Sequence, residues 1–112
     1  MIEEEKFAQQ IRDAGQEWAE AEREVARAEA GEKRTNATLM LTAQIEFGCK
    51  TTSAQSTWAD QQDEMEQSRI EKGVAKGLLA AAKSNYLAAE VSFKTWQTIQ
   101  ASTRMEKRVY GS

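Results

Sequence analysis

The chain has 112 residues, no proline, no histidine and a single cysteine, with 29% charged residues and a formal charge of −3. Lacking histidine, it has neither the commonest general base nor the commonest metal ligand, and Cys49 alone can close no intrachain disulfide and anchor no structural zinc site. Neither G-x-x-x-x-G-K-[ST] nor G-x-G-x-x-G occurs, and the carboxylates are spread along the chain, so we expect no enzymatic activity, no cofactor and no metal.

Alanine, glutamate, lysine, glutamine and arginine without proline make a composition of long helices. The expected fold is all-α, one domain of two long helices forming a hairpin or extended coiled coil, with copies assembling because a thin hairpin has little interior. No apolar run approaches the roughly 20 residues that span a bilayer, and the opening MIEEEKFAQQ lacks the apolar core of a signal peptide. A soluble cytoplasmic protein with no membrane partner is therefore expected.

The first helix is expected over about 3–46. Phe7, Ile11, Ala14, Trp18, Ala21, Val25 and Ala28 alternate spacings of four and three, the heptad seam that keeps an apolar stripe against a partner helix. The stripe weakens over GEKRTN, where Gly31 suggests a bend, and resumes at Leu39, Met40, Leu41 and Ile45. A linker is expected over about 47–57 (FGCKTTSAQST). Gly48 suits a helix C′ position, and Ser56 or Thr57 suits an N-cap for the next helix.

The second helix is expected over about 58–108. Its seam reads Ala75, Leu79, Ala82, Tyr86, Ala89, Phe93 and Trp96. Beside it runs a second stripe of Ile70, Val74, Leu78, Ala81, Ala88, Thr95 and Ile99. One antiparallel partner covers one stripe, so the other calls for a helix from another copy. The expected oligomer interface comprises Ile70, Val74, Leu78, Phe93, Trp96 and Ile99.

Charge is distributed unevenly. Residues 1–60 hold twelve acidic and seven basic groups, whereas residues 67–112 hold three acidic and eight basic ones. Basic stripes of several copies together could hold a phosphate backbone by counterion release, and Tyr110 and Trp58 are the aromatics placed to stack on unpaired bases.

Tyr86, Phe93 and Trp96, followed by Gln100-Ala101-Ser102-Thr103-Arg104 and a basic tail to Tyr110, resemble the end of UvsY-type phage recombination mediators. The organisation is similar too, with a long first helix, a linker, and a second helix ending in aromatic then basic residues. The resemblance implies a homo-oligomer that binds single-stranded DNA and helps load a recombinase onto strands coated by a single-strand-binding protein. On it, Lys83, Lys94, Arg104, Lys107 and Arg108 are the expected DNA contacts. The chain departs from that pattern in being more acidic, with few lysines in its first helix. An alternative follows from those acids: Glu17, Glu20, Glu24 and Glu29 could face a basic protein, making the chain an adaptor or inhibitor. A structural assembly coiled coil is a third reading.

Overall fold

Three helices carry almost all of the computed structural model, which describes residues 2–110, the Tyr110 side chain excepted. They are α1 (Glu3–Phe47), α2 (Thr52–Asp60) and α3 (Asp63–Tyr110). No strand occurs among the described residues. The fold is all-α, a long-helix hairpin in which α1 and α3 pair antiparallel.

The first helix ends within a residue of its expected bounds and does not bend out of helical geometry at Gly31. Glu3, Glu4 and Glu5 in its first turn complement the positive end of the helix dipole. Its other end is closed by Gly48, whose φ of 70° lies in the left-handed region, and by the Cys49 N–H, which donates to the Ala43 carbonyl at 3.0 Å.

The expected linker is largely helical, and the second long helix starts later than its pattern suggested. Thr51 is the N-cap that opens α2: it is extended (φ −101°, ψ 152°) and its Oγ1 accepts from the Ala54 N–H at 3.1 Å. Ser56 and Thr57, the expected caps, lie inside α2. Thr57 donates instead to the Ser53 carbonyl at 2.9 Å, the local bond that lets a hydroxyl sit within a helix. The first hydroxyl of the run after Lys50 takes the capping role, which leaves the later ones inside. A short break follows at Gln61. Asp63, Glu64 and Glu66 then occupy the first turn of α3, again at the positive end of a helix. An Arg69–Asp60 ion pair at 2.6 Å ties α3 back to α2.

The chain divides into two compact units, one of Met1–Ala19 with Ala81–Ser112 and one of Glu20–Ala80. In the first, Phe7 sits against both Phe93 and Trp96, with ring centroids at 5.8 and 5.5 Å. Trp18 packs on Tyr86 at 5.2 Å, and Ala14 and Ala82 are buried between the helices. The Tyr86 ring passes 3.7 Å from where a Cβ on Gly15 would stand, so the bare backbone there makes room for the aromatic edge.

In the second unit, Ala43, Ala59, Met65 and Ala75 are buried, one or more from each of the three helices, with Ala75 beside Ala28 at the α1–α3 seam. Two polar rungs interrupt this seam. Glu32 Oε2 lies 2.6 Å from Lys72 Nζ, and the Ser68 hydroxyl donates to Thr35 Oγ1 at 3.1 Å. These are the positions where the sequence stripe weakens; the seam continues through GEKRTN with polar residues as its rungs. Small side chains dominate the interior, and no large side chain among the described residues is fully buried.

Candidate functional site

An α-helix turns 100° per residue, so apolar positions four and three apart collect on one face and a second such series lies on another. The structure separates the two series on α3. In the Glu20–Ala80 unit, Ala75 is buried and Leu79 half-buried; in the other unit, Ala82 is buried and Tyr86, Ala89, Phe93 and Trp96 are half-buried. The second series faces outward. Ile70, Val74, Leu78 and Ile99 are 51, 58, 62 and 56% exposed, and Ala81, Ala88 and Thr95 are exposed with them.

Two of the expected oligomer contacts also pack within the chain. Phe93 and Trp96 belong to the inner seam, where Phe7 of the same chain packs on both. They lie on the seam side of α3, away from Ile99.

In the Glu20–Ala80 unit, the outward residues border an open groove of about 490 Å³ between α1 and α3. Ala28 and Ala75 lie at its apolar lining beside Ile70, Val74 and Leu78, and its polar rim is Glu24, Arg27, Gln67 and Glu71. Arg27 donates to Glu24 and Gln67 to Glu71, so the rim groups are engaged with one another.

The expected DNA contacts all fall in the other unit. Lys83, Lys94, Arg104 and Arg108 lie within about 80° of one another around α3, with Lys107 further round toward the seam side. Each of the five is exposed. Lys83 Nζ stands 5.6 Å from the centre of the Trp18 ring, a cation–π contact that places its charge at the edge of the aromatic pair. The Trp18 indole N–H beneath is buried and finds no acceptor among the described residues. From residue 101 to residue 109 every side chain of α3 is exposed, and Arg104, Lys107 and Arg108 are carried on that stretch.

Of the two aromatics expected to stack on bases, Trp58 is half-buried against Phe47 at 4.9 Å and lies in the other unit from the basic residues. Its partner Phe47, at the end of α1, is the more exposed of the two rings. The Tyr110 side chain is outside the described residues.

The structure adds exposed apolar residues that the two stripes did not include: Leu87, Val91, Met105 and Val109. Leu87 and Val91 are four apart, as are Met105 and Val109, and that spacing was the available signal. They turn toward the gap between the basic and outward apolar faces of α3.

One titratable group is clearly perturbed. The charge-assisted hydrogen bond from Lys72 holds the Glu32 carboxyl below the ordinary range; desolvation opposes it, and the charges of Lys72, Arg69 and Lys76 add further attraction. This pair lies on the helix seam and holds α1 to α3; Glu32 shares a cleft with Ser56 and Asp60, and the Asp60 carboxylate is paired with Arg69 at 2.6 Å. The arrangement as a whole offers surfaces for binding. No helix among the described residues is long and apolar enough to cross a membrane. The chain matches no family model, no curated protein and no solved structure.

Proposed function

We propose that this chain is a homo-oligomeric helical accessory protein that binds single-stranded DNA through the C-terminal part of α3. Recombination or replication proteins, a recombinase or a single-strand-binding protein, are its partners in this reading. The observation that carries it is the stretch from 101 to 109, exposed on all sides, with Arg104, Lys107 and Arg108 on it and Lys94 within two to three turns. A helix end uncovered all round can lie along a flexible phosphate backbone, and guanidinium groups suit phosphate oxygens in paired hydrogen bonds. The resemblance to UvsY-type mediators supports the same residues.

The test is fluorescence anisotropy of a labelled single-stranded oligonucleotide across a salt series. Replacing Arg104, Lys107 and Arg108 together by alanine is expected to weaken binding and to reduce the slope of log K against log salt by about 2, since each phosphate contact on a single strand contributes about 0.7. Equal affinity and equal slope in the two proteins would remove the tail from the binding surface.

A second reading draws on α1. Within the Glu20–Ala80 unit, Glu20, Glu24 and Glu29 are exposed along that helix, carboxylates suited to a basic protein. An adaptor or inhibitor of that kind predicts no DNA binding at any salt and capture of a basic protein that Glu20→Lys with Glu29→Lys abolishes.

A further inference from the structure

Within the unit of Met1–Ala19 and Ala81–Ser112, the two helices carry outer faces of different character. A seam of alternating spacings of four and three leaves three positions per heptad that point away from the partner helix. On α1 these positions from 5 to 19 hold charges of both signs, and Gln9 joins two of them, accepting from Arg12 at 2.9 Å and donating to Asp13 at 2.7 Å. That is an ordinary solvated face. On α3 the same positions from 81 to 109 hold no carboxylate. They comprise Leu87, Val91, Met105 and Val109, which are 54, 62, 66 and 70% exposed, the cations Lys94 and Arg108, and otherwise only alanine, serine and threonine. The acids of the stretch, Glu90 and Glu106, stand on its two flanks.

On this face each large aliphatic side chain has a base beside it. Residues three and four apart are neighbours on a helix surface, about 5–6 Å apart at Cβ. Leu87 neighbours Lys83, Val91 neighbours Lys94 and Met105 neighbours Arg108, so three aliphatic–cation pairs follow one another along α3. In the first pair the Lys83 ammonium also stands over the Trp18 ring. A nucleotide of an unpaired strand has the matching two parts side by side, an anionic phosphate and a base whose flat face is apolar and open. In a duplex the phosphates stay on the surface, whereas the flat faces of the bases are stacked inside. Cations alone therefore serve both forms, and an aliphatic neighbour removes apolar surface from water only against the single strand.

We infer that Leu87, Val91 and Met105 are the residues that select single-stranded over duplex DNA, each covering a base face beside a phosphate held by Lys83, Lys94 or Arg108. This rests on the DNA-binding reading above and extends that surface from the C-terminal stretch of α3 back to residue 83. Covering a base face contributes affinity that salt leaves unchanged, while pairing with phosphate contributes affinity that salt removes, so one experiment separates the two.

The experiment is fluorescence anisotropy of one labelled oligonucleotide, as a single strand and as a blunt duplex, titrated with the full chain across a salt series. Leu87→Ser, Val91→Ser and Met105→Ser are combined in one variant; all three positions are exposed, and circular dichroism checks that the variant stays helical. The expected result is a loss of single-strand affinity of roughly tenfold or more at every salt concentration, an unchanged slope of log K against log salt, and a duplex affinity within about twofold of the parent's. Leu87→Gln, which keeps helix propensity, is expected to lose about threefold by itself. Lys94→Ala is the converse, lowering the single-strand slope by about 0.7. A helical combined variant that binds the single strand as the parent does would overturn the inference and leave the DNA-binding reading standing. Equal losses on single strand and duplex, or a slope that falls along with the affinity, would overturn the selective role of these side chains. A parent that binds no single strand at low salt would remove the DNA-binding reading and this inference with it, and its sedimentation with phosphatidylglycerol vesicles would then assign the face to a lipid surface.

Discussion

Replacing Met65 by alanine is the sharpest probe of how this thin hairpin is held together. Met65 is 3% exposed, whereas the other buried side chains are all alanine. It lines a cleft bordered by Glu32 and Asn36 of α1 and Ser56 and Asp60 of α2, so its side chain lies at a place shared by all three helices of its unit. Burial of a methionine side chain contributes about 1.5–3 kcal/mol, and truncation to alanine adds the cost of the cavity, for a range of about 2–5 kcal/mol. The neighbouring alanines have no longer side chains with which to fill the space, so we expect about 3 kcal/mol. For a chain of this size that lowers the thermal midpoint by roughly 10–20 °C. Urea unfolding followed by far-ultraviolet circular dichroism measures it, with every variant at one protein concentration because association adds to apparent stability. Met65→Leu, which keeps the volume, is expected to cost under about 1.5 kcal/mol. Leu41→Ala, at a position 55% exposed, provides the surface control. The reasoning is refuted if Met65→Ala lies within about 1 kcal/mol of the parent, or if it cannot be told from Leu41→Ala.

Other outcomes follow from features away from that core. Gly31→Ala, in open space within α1, is expected to stabilise the protein by about 1 kcal/mol through helix propensity, and no gain in the urea midpoint would show that the position needs glycine for another reason. Thr51→Ala removes the cap of α2 and is expected to cost about 1 kcal/mol, with faster amide exchange at Ala54 as the local readout. Glu32 is held below its unfolded pKa of about 4.3, so its contribution to stability is present in full above that value and is lost as the pH falls through the lower, folded one. The stability gap between the parent and Glu32→Gln should therefore close between neutral pH and the acid limb of unfolding; a constant gap would assign the effect to packing. Lys83→Ala is expected to change the Trp18 fluorescence in a protein that stays folded, because the ammonium group stands over the ring; an unaltered spectrum would show that the lysine does not sit there in solution.

The long helices could be read because each carries its own period. Phe7 to Ala28 and Ala75 to Trp96 follow spacings that only a helix brings to one face, and both series turn inward. The outward stripe was equally legible, since a second period on the same helix has to point somewhere else. Phe93 and Trp96 carried both readings, seam and interface, because aromatic side chains reach far from their own phase angle; Phe7 packs on both. The linker was misread for a local reason. Serine and threonine signal a cap or a helix interior depending on which of them comes first after the chain reverses, and that is set by how Gly48 ends α1. Trp58 looked unattached because its contact, Phe47, lies across that reversal. The basic residues near the C-terminus were plain as charges, whereas their exposure from 101 onward depends on where α1 begins relative to α3 within their unit, which composition does not state.

The polar rungs at Glu32–Lys72 and Thr35–Ser68 bear on sliding. Within the Glu20–Ala80 unit the seam is built largely of small side chains, so its apolar contacts alone distinguish poorly between neighbouring alignments of α1 on α3 there. Moving α3 by seven residues in either direction would bring Glu32 against Met65 or Leu79 and Lys72 against Val25 or Leu39, leaving each charge facing hydrocarbon. The ion pair and the hydroxyl pair therefore act as the teeth of a ratchet: they add little cohesion to the seam, and they make one alignment of the hairpin distinct from the next.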